Sequence, residues 1–189
     1  PVDRDMRPIR DAIIWMDRRA TSEAARVGRD VGEDRLFAVT GNGNDAYFGF
    51  NKMLWIRENE PEIWSRARYF LPSNSYVVYR LTGAVVVDHT SAANIGGVYD
   101  LYRHNWSTPL LEELGIDRSL FPDTLLAPEE IAGTLTREAA ERTGLAPGIP
   151  VCAGCTDCLA SNLAAGVLEE NRQSAIIGTS INWSVLHKS

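Results

Sequence analysis

Short apolar runs alternate with segments of helical period along this chain, and that alternation limits the fold more than any other feature. Asp11–Met16 (DAIIWM), Arg68–Leu71, Ala84–Asp88, Pro150–Ala153 and Gln173–Ile177 are brief and aliphatic, which predicts strands. Between them, Thr21–Arg29, Ala46–Asn59, Ser73–Leu81, Ser107–Leu114, Arg137–Arg142 and Asp157–Ala165 space their apolar residues at helical intervals. Thr21 or Ser22 is the expected cap of the first helix, and Ser73 or Asn74 that of the third, while Pro61, Gly83 and Gly115 are the expected stops. Val77 and Leu81 are expected to share one face, and Leu159 and Leu163 to face inward. Pro147-Gly148 predicts a turn, and the stretch from Ser107 to Ala146 shows no clear strand. Such an order belongs to an α/β or mixed α+β fold.

Composition narrows the function. Hydrophobic residues make up 44% and charged residues 23% of the 189, close to an ordinary soluble domain. The apolar runs fall far short of the roughly 20 residues that span a bilayer, which argues against a membrane partner. With 19 Lys+Arg against 25 Asp+Glu the net charge is -6, so nucleic acid is not the expected partner either. No signal-like apolar segment opens the sequence, and the three cysteines are too few and too close for a disulfide framework. A reducing, cytoplasmic setting is the expectation.

Those cysteines, Cys152, Cys155 and Cys158, have the spacing of metal ligands, but the histidines His89, His104 and His187 lie far off in sequence and supply no matching fourth ligand. The alternative is a set of small residues flanking a tight strand-to-helix turn. Asp157 lies in the same cluster, after the Pro150–Ala153 run and Gly154 and at a helix start. Its position suits either a carboxylate that accepts first-turn N–H groups or a general base facing a cleft beyond a strand end. Gly178-Thr179-Ser180 follows the last predicted strand as a small-residue turn, fit for a hairpin or for a phosphate.

The ordered set of motifs says more than any member alone. In sequence come Ile14-Trp15-Met16-Asp17-Arg18-Arg19-Ala20, then Lys52 to Pro61 (KMLWIRENEP), Tyr79-Arg80-Leu81-Thr82-Gly83, Asp88-His89-Thr90-Ser91-Ala92-Ala93, Asp100 with Trp106, Gly148-Ile149-Pro150-Val151, Gly154-x-x-Asp157, Gly166-Val167 and Gly178-Thr179-Ser180. This order resembles the FGGY carbohydrate kinases, the family of xylulokinase, gluconokinase and glycerol kinase, across essentially the whole chain. The wording around Leu81 and Asp88 leans toward its xylulokinase-like members.

The resemblance implies an actin-like (ribonuclease H-like) α/β fold of two lobes, with a sugar or polyol, D-xylulose or a related ketose first among them, and ATP with Mg2+ in the cleft between. It implies that residues 1–167 are the remainder of the first, sugar-binding lobe and that 168–189 begin the second, ATP-binding lobe. By motif position Asp157 becomes the catalytic base and Gly178, Thr179 and Ser180 the turn that touches ATP phosphates. Asp17, Arg19, Tyr47 and Cys158 fall near the sugar; an Asp17–Arg19 ion pair and a core Tyr47 are the competing readings. Trp55 and Trp106 are expected in the core. The family's opening strand with its Asp-x-Gly-Thr phosphate loop, and the adenine-binding bulk of its second lobe, have no counterpart here, so this stretch alone is expected to be inactive and to self-associate, with a dimer as the expected homo-oligomer. Gly49 and the cysteines replace other residues common in relatives, which leaves the sugar open. Two other functions compete: a metal-binding module on the cysteine cluster, and a kinase-like domain that binds without catalysing.

Overall fold

The computed structural model describes residues 1–178 and 181–187 and divides into two compact units, Pro1–Gly154 and Cys155–Ser189. The first opens with an irregular segment and then helices α1 (Thr21–Asp30), α2 (Glu33–Thr40), α3 (Gly49–Asn59), α4 (Pro61–Arg66) and α5 (Ser73–Thr82). Strand β1 (Val87–Asp88), helix α6 (His89–Ile95), the strands β2 (Tyr99–Asp100) and β3 (Asn105–Trp106), helix α7 (Thr108–Leu114) and strand β4 (Leu125–Leu126) follow. Strand β5 (Ile131–Thr134), helix α8 (Arg137–Thr143) and strand β6 (Pro150–Cys152) close the unit. The strands pair two by two: β1 runs parallel to β4, while β2 with β3 and β5 with β6 are antiparallel.

Burial explains why these residues form these elements. Phe50, Leu54, Leu36, Val87, Val98, Tyr99, Leu110, Leu111 and Phe121 are all 1% exposed or less and form one core with Val27 and Trp106. At about 25 cal/mol per Å² of apolar surface, each such side chain contributes roughly 1.5–3 kcal/mol over an exposed one. A smaller cluster of Leu135, Ala139 and Ala140 lies under Leu81 and Val151. Gly96 and Gly97 let the chain turn against this core. Gly96 has φ +101°, and a Cβ on Gly97 would come within 2.8 Å of the Phe50 ring. Gly83 and Gly115 end α5 and α7 in left-handed conformations, and Pro61 both stops α3 and starts α4. Gly148 turns the chain as expected, its N–H bonded to Leu135 O.

Several expectations are corrected. Asp11–Met16 is no strand: Asp17 N bonds back to Ile14 O as a turn, and Ile14, Trp15 and Met16 are all more than half exposed. An apolar run without a ladder partner stays irregular. Arg68–Leu71 makes only an isolated bridge, Val2 with Tyr69. The helix expected from Ala46 begins at Gly49, because Asp45 accepts the Tyr47 N–H at 2.7 Å and holds a turn there. Thr21 and Ser22 do not cap α1, and Ser73 and Asn74 do not cap α5: Thr21 donates to Arg18 O and Asn74 to the Asp88 carboxylate instead. Side-chain caps form elsewhere: Asp88 accepts the Ser91 N–H at 2.9 Å and starts α6, and Thr136 accepts the Ala139 N–H and starts α8. On α5 Val77 is exposed and Val78 buried. The stretch from Ser107 to Ala146 holds β4 and β5 as well as helices. Trp106 is buried as expected, and Trp55 is partly buried against the core.

The second unit contains helix α9 (Asp157–Ala164) and the antiparallel hairpin of β7 (Gln173–Ile177) and β8 (Ile181–Val185). Ser174 donates to Asn162 and ties β7 to α9. Leu159 and Leu163 do not turn inward; they are 40% and 61% exposed, because one helix and one hairpin give too few layers to enclose them.

Candidate functional site

In the first unit the motif residues gather on α3 and on the irregular segment before α1. Asp17 grips Arg19 with both carboxylate oxygens, accepting from Nε at 3.0 Å and from Nη2 at 2.7 Å, and also takes the Arg19 backbone N–H at 2.9 Å. These hydrogen bonds hold the Asp17 carboxyl well below the usual range, at about 2. The Arg19 guanidinium in turn lies 4.7 Å over the ring of Trp55. The ion-pair reading of Asp17 and Arg19 therefore describes the geometry, and the same pair presents a fixed, charged edge to solvent.

Tyr47 sits in the turn before α3, half-buried and edge-on to Phe48. It is thus not a core aromatic of the helix. With Trp15 and Lys52 it lines a cavity of about 790 Å³. Beside it, Arg18 pairs with Asp45 at 2.8 Å and lowers the Asp45 carboxyl below its ordinary value. Lys52 was visible in the sequence only as part of a motif. The structure buries it to 6% exposure, points Nζ at the carbonyls of Ile14 (2.9 Å) and Trp15 (3.4 Å), and sets it 5.7 Å from the centre of the Tyr47 ring. Burial lowers its pKa. The available signal was a lysine inside the apolar run Phe50–Ile56, where a long cationic chain cannot reach open water.

In the second unit Asp157 is the first residue of α9, after Thr156 at the cap position. Its side chain is exposed and accepts the Cys158 N–H at 2.9 Å. The carboxylate thus takes a first-turn N–H and remains open to a ligand. Cys158 lies 3.9 Å from the Ser184 hydroxyl. Gly178 ends β7 in an exposed bend, while Thr179 and Ser180 lie outside the described residues. Among the described residues no three His, Cys, Asp or Glu side chains are placed to hold one metal ion. Cys152 instead pairs in β6 opposite Ile131. No helix among the described residues is long and apolar enough to cross a membrane.

A family model described as the FGGY family of carbohydrate kinases, N-terminal domain, matches residues 1–164. The chain is 33% identical over 181 residues to the xylulose kinase of Bacillus subtilis (strain 168), covering 95% of this chain and 35% of that protein. It is 32% identical over 185 residues to the L-fuculokinase of Escherichia coli (strain K12), covering 98% of this chain and 38% of that one. The crystal structure of xylulose kinase from Rhodospirillum rubrum superposes with a TM-score of 0.90 at 30% identity, over 96% of this chain and 37% of that chain. The chain thus spans about a third of the length of the curated relatives it matches. Its mixed helix and strand architecture is part of the actin-like ATPase fold that these sugar kinases share. On the match over residues 1–164, the chain belongs to the FGGY family of carbohydrate kinases.

Proposed function

We propose that the whole protein phosphorylates a sugar or polyol with ATP, D-xylulose or a related ketose being the first candidate. The observation that carries this reading is the family match through residue 164, which takes in Asp157 at the head of α9. Residues 1–167 are assigned to the sugar-binding lobe and 168–189 to the start of the ATP-binding lobe. A cytoplasmic homo-oligomer goes with that reading.

The residues present fit the cofactor. Mg2+ is held by one or two carboxylates and the substrate phosphates rather than by a closed protein cage, and Asp157 offers an exposed oxygen donor. MgATP, when bound, supplies the γ-phosphoryl group and the cation charge that neutralises it. Asp157 accepts the proton of the sugar hydroxyl as that oxygen bonds to the γ-phosphorus and the bond from that phosphorus to the departing ADP breaks. Asp17, Arg19 and Tyr47 orient the sugar through hydrogen bonds and ring contact, and Cys158 shapes the pocket beside the base. Gly178, Thr179 and Ser180 are assigned to the ATP phosphates, a role suited to a small-residue turn.

The test is a panel of ketoses, fuculose, gluconate and glycerol with the full-length protein, scored by ADP release. Turnover with one class of sugar supports the reading, and no turnover with any member overturns it.

A further inference from the structure

Lys52 is a buried cation that feels the charges of Asp17 and Asp45 without bonding to either. Among the described residues it makes no ion pair, and Nζ donates to two backbone carbonyls, Ile14 O and Trp15 O. A desolvated ammonium persists only where acceptors compensate it, so these bonds are a strong tether rather than an incidental contact. The tethered segment is flanked by Ile13, which packs against the core, and by the buried Ala20, but its middle is open. Ile14, Trp15 and Met16 are 59%, 51% and 55% exposed, so their side chains do not anchor it by burial. Its other attachments are the Arg18–Asp45 pair at 2.8 Å and the Arg19 guanidinium over Trp55, three residues from Lys52 on α3. Residues three apart on a helix share a face, so the segment bearing Asp17 and Arg19 rides on one face of α3. The centre of the Tyr47 ring lies 5.7 Å from the same ammonium.

We propose that Lys52 is a positioning residue of the sugar pocket, pinning the Ile14–Trp15 backbone and facing Tyr47 so that the Asp17–Arg19 pair and the Tyr47 ring keep one spacing. This rests on the reading that those three residues contact the sugar. A positioning residue acts on sugar affinity and leaves the nucleotide alone. In the full-length enzyme, Lys52→Met keeps the stem and removes the donors, and is expected to raise the sugar KM about tenfold or more while the ATP KM stays within about twofold. Lys52→Arg keeps the charge but exchanges a compact donor for a planar fork, and is expected to raise the sugar KM by a few-fold. In an Asp17→Ala background, Lys52→Met is expected to add less than about threefold, because both changes release the same segment.

Wild-type sugar KM in Lys52→Arg and Lys52→Met, with only thermal stability lowered, would show a purely structural lysine and overturn the inference while leaving the kinase reading intact. Sugar and ATP KM rising by equal factors would overturn it as well. If Lys52→Met does not fold, the sugar KM of Lys52→Arg decides alone. A wild-type enzyme that phosphorylates no sugar removes both.

Discussion

The two units place their functional groups on opposite kinds of support. In Pro1–Gly154 the Asp17–Arg19 pair rests on Trp55 and on a helix whose Phe50, Met53, Leu54 and Ile56 are all buried. In Cys155–Ser189 the described residues are one short helix and a hairpin on which Ile177, Ile181, Trp183 and Val185 are 78%, 72%, 67% and 51% exposed. Asp157 starts that helix with a first-turn N–H contact. The contrast teaches that the Asp17–Arg19 pair is held by tertiary packing and a web of charge, whereas the candidate base is placed by local backbone geometry.

The largest effect that sharpens this contrast is in the first core. Phe50→Ala removes a fully buried ring and is expected to cost about 3–5 kcal/mol in urea unfolding of the 189-residue chain. A cost under about 1 kcal/mol would break the claim that this unit is held by its core.

Charge comes next. The Asp17 carboxyl should titrate at about 2 by NMR, against an ordinary 3.8, and Arg19→Met should return it toward the ordinary value. Because the folded value is depressed, the stabilisation it reflects is present above about 3.8 and is lost as pH falls through 2. An ordinary midpoint in the wild type would dissolve the charged web.

The smallest effect belongs to the second unit. Leu163→Ala, at a side chain 61% exposed, is expected to change stability by no more than about 0.5 kcal/mol. A loss comparable to that of Phe50→Ala would erase the difference between the units.

Much of the helical skeleton was legible because its punctuation is local. Gly83, Gly115 and Pro61 stop helices by backbone geometry that any context preserves. Asp11–Met16 misled because apolarity does not supply a ladder partner, and Leu159 and Leu163 misled because helical spacing predicts a face and not its cover. The helices α2, α4 and α6 were missed: α2 has little apolar contrast, α4 is a short piece behind the Pro61 stop, and α6 depends on Asp88 as its cap. In the site, Asp157 stood out through a strand, a glycine and a helix start in close succession. Lys52 did not, since its role lies in carbonyls far upstream in the sequence, a pairing that only the folded chain reveals.

The account turns on the carboxylate at the head of α9. In the full-length protein, with the best sugar of the panel, Asp157→Asn keeps size and the first-turn contact but cannot take up a proton. The expected result is a fall in kcat of about 100-fold or more, with circular dichroism and the sugar KM near wild type. A variant that keeps full turnover would contradict the assignment of Asp157 as the base.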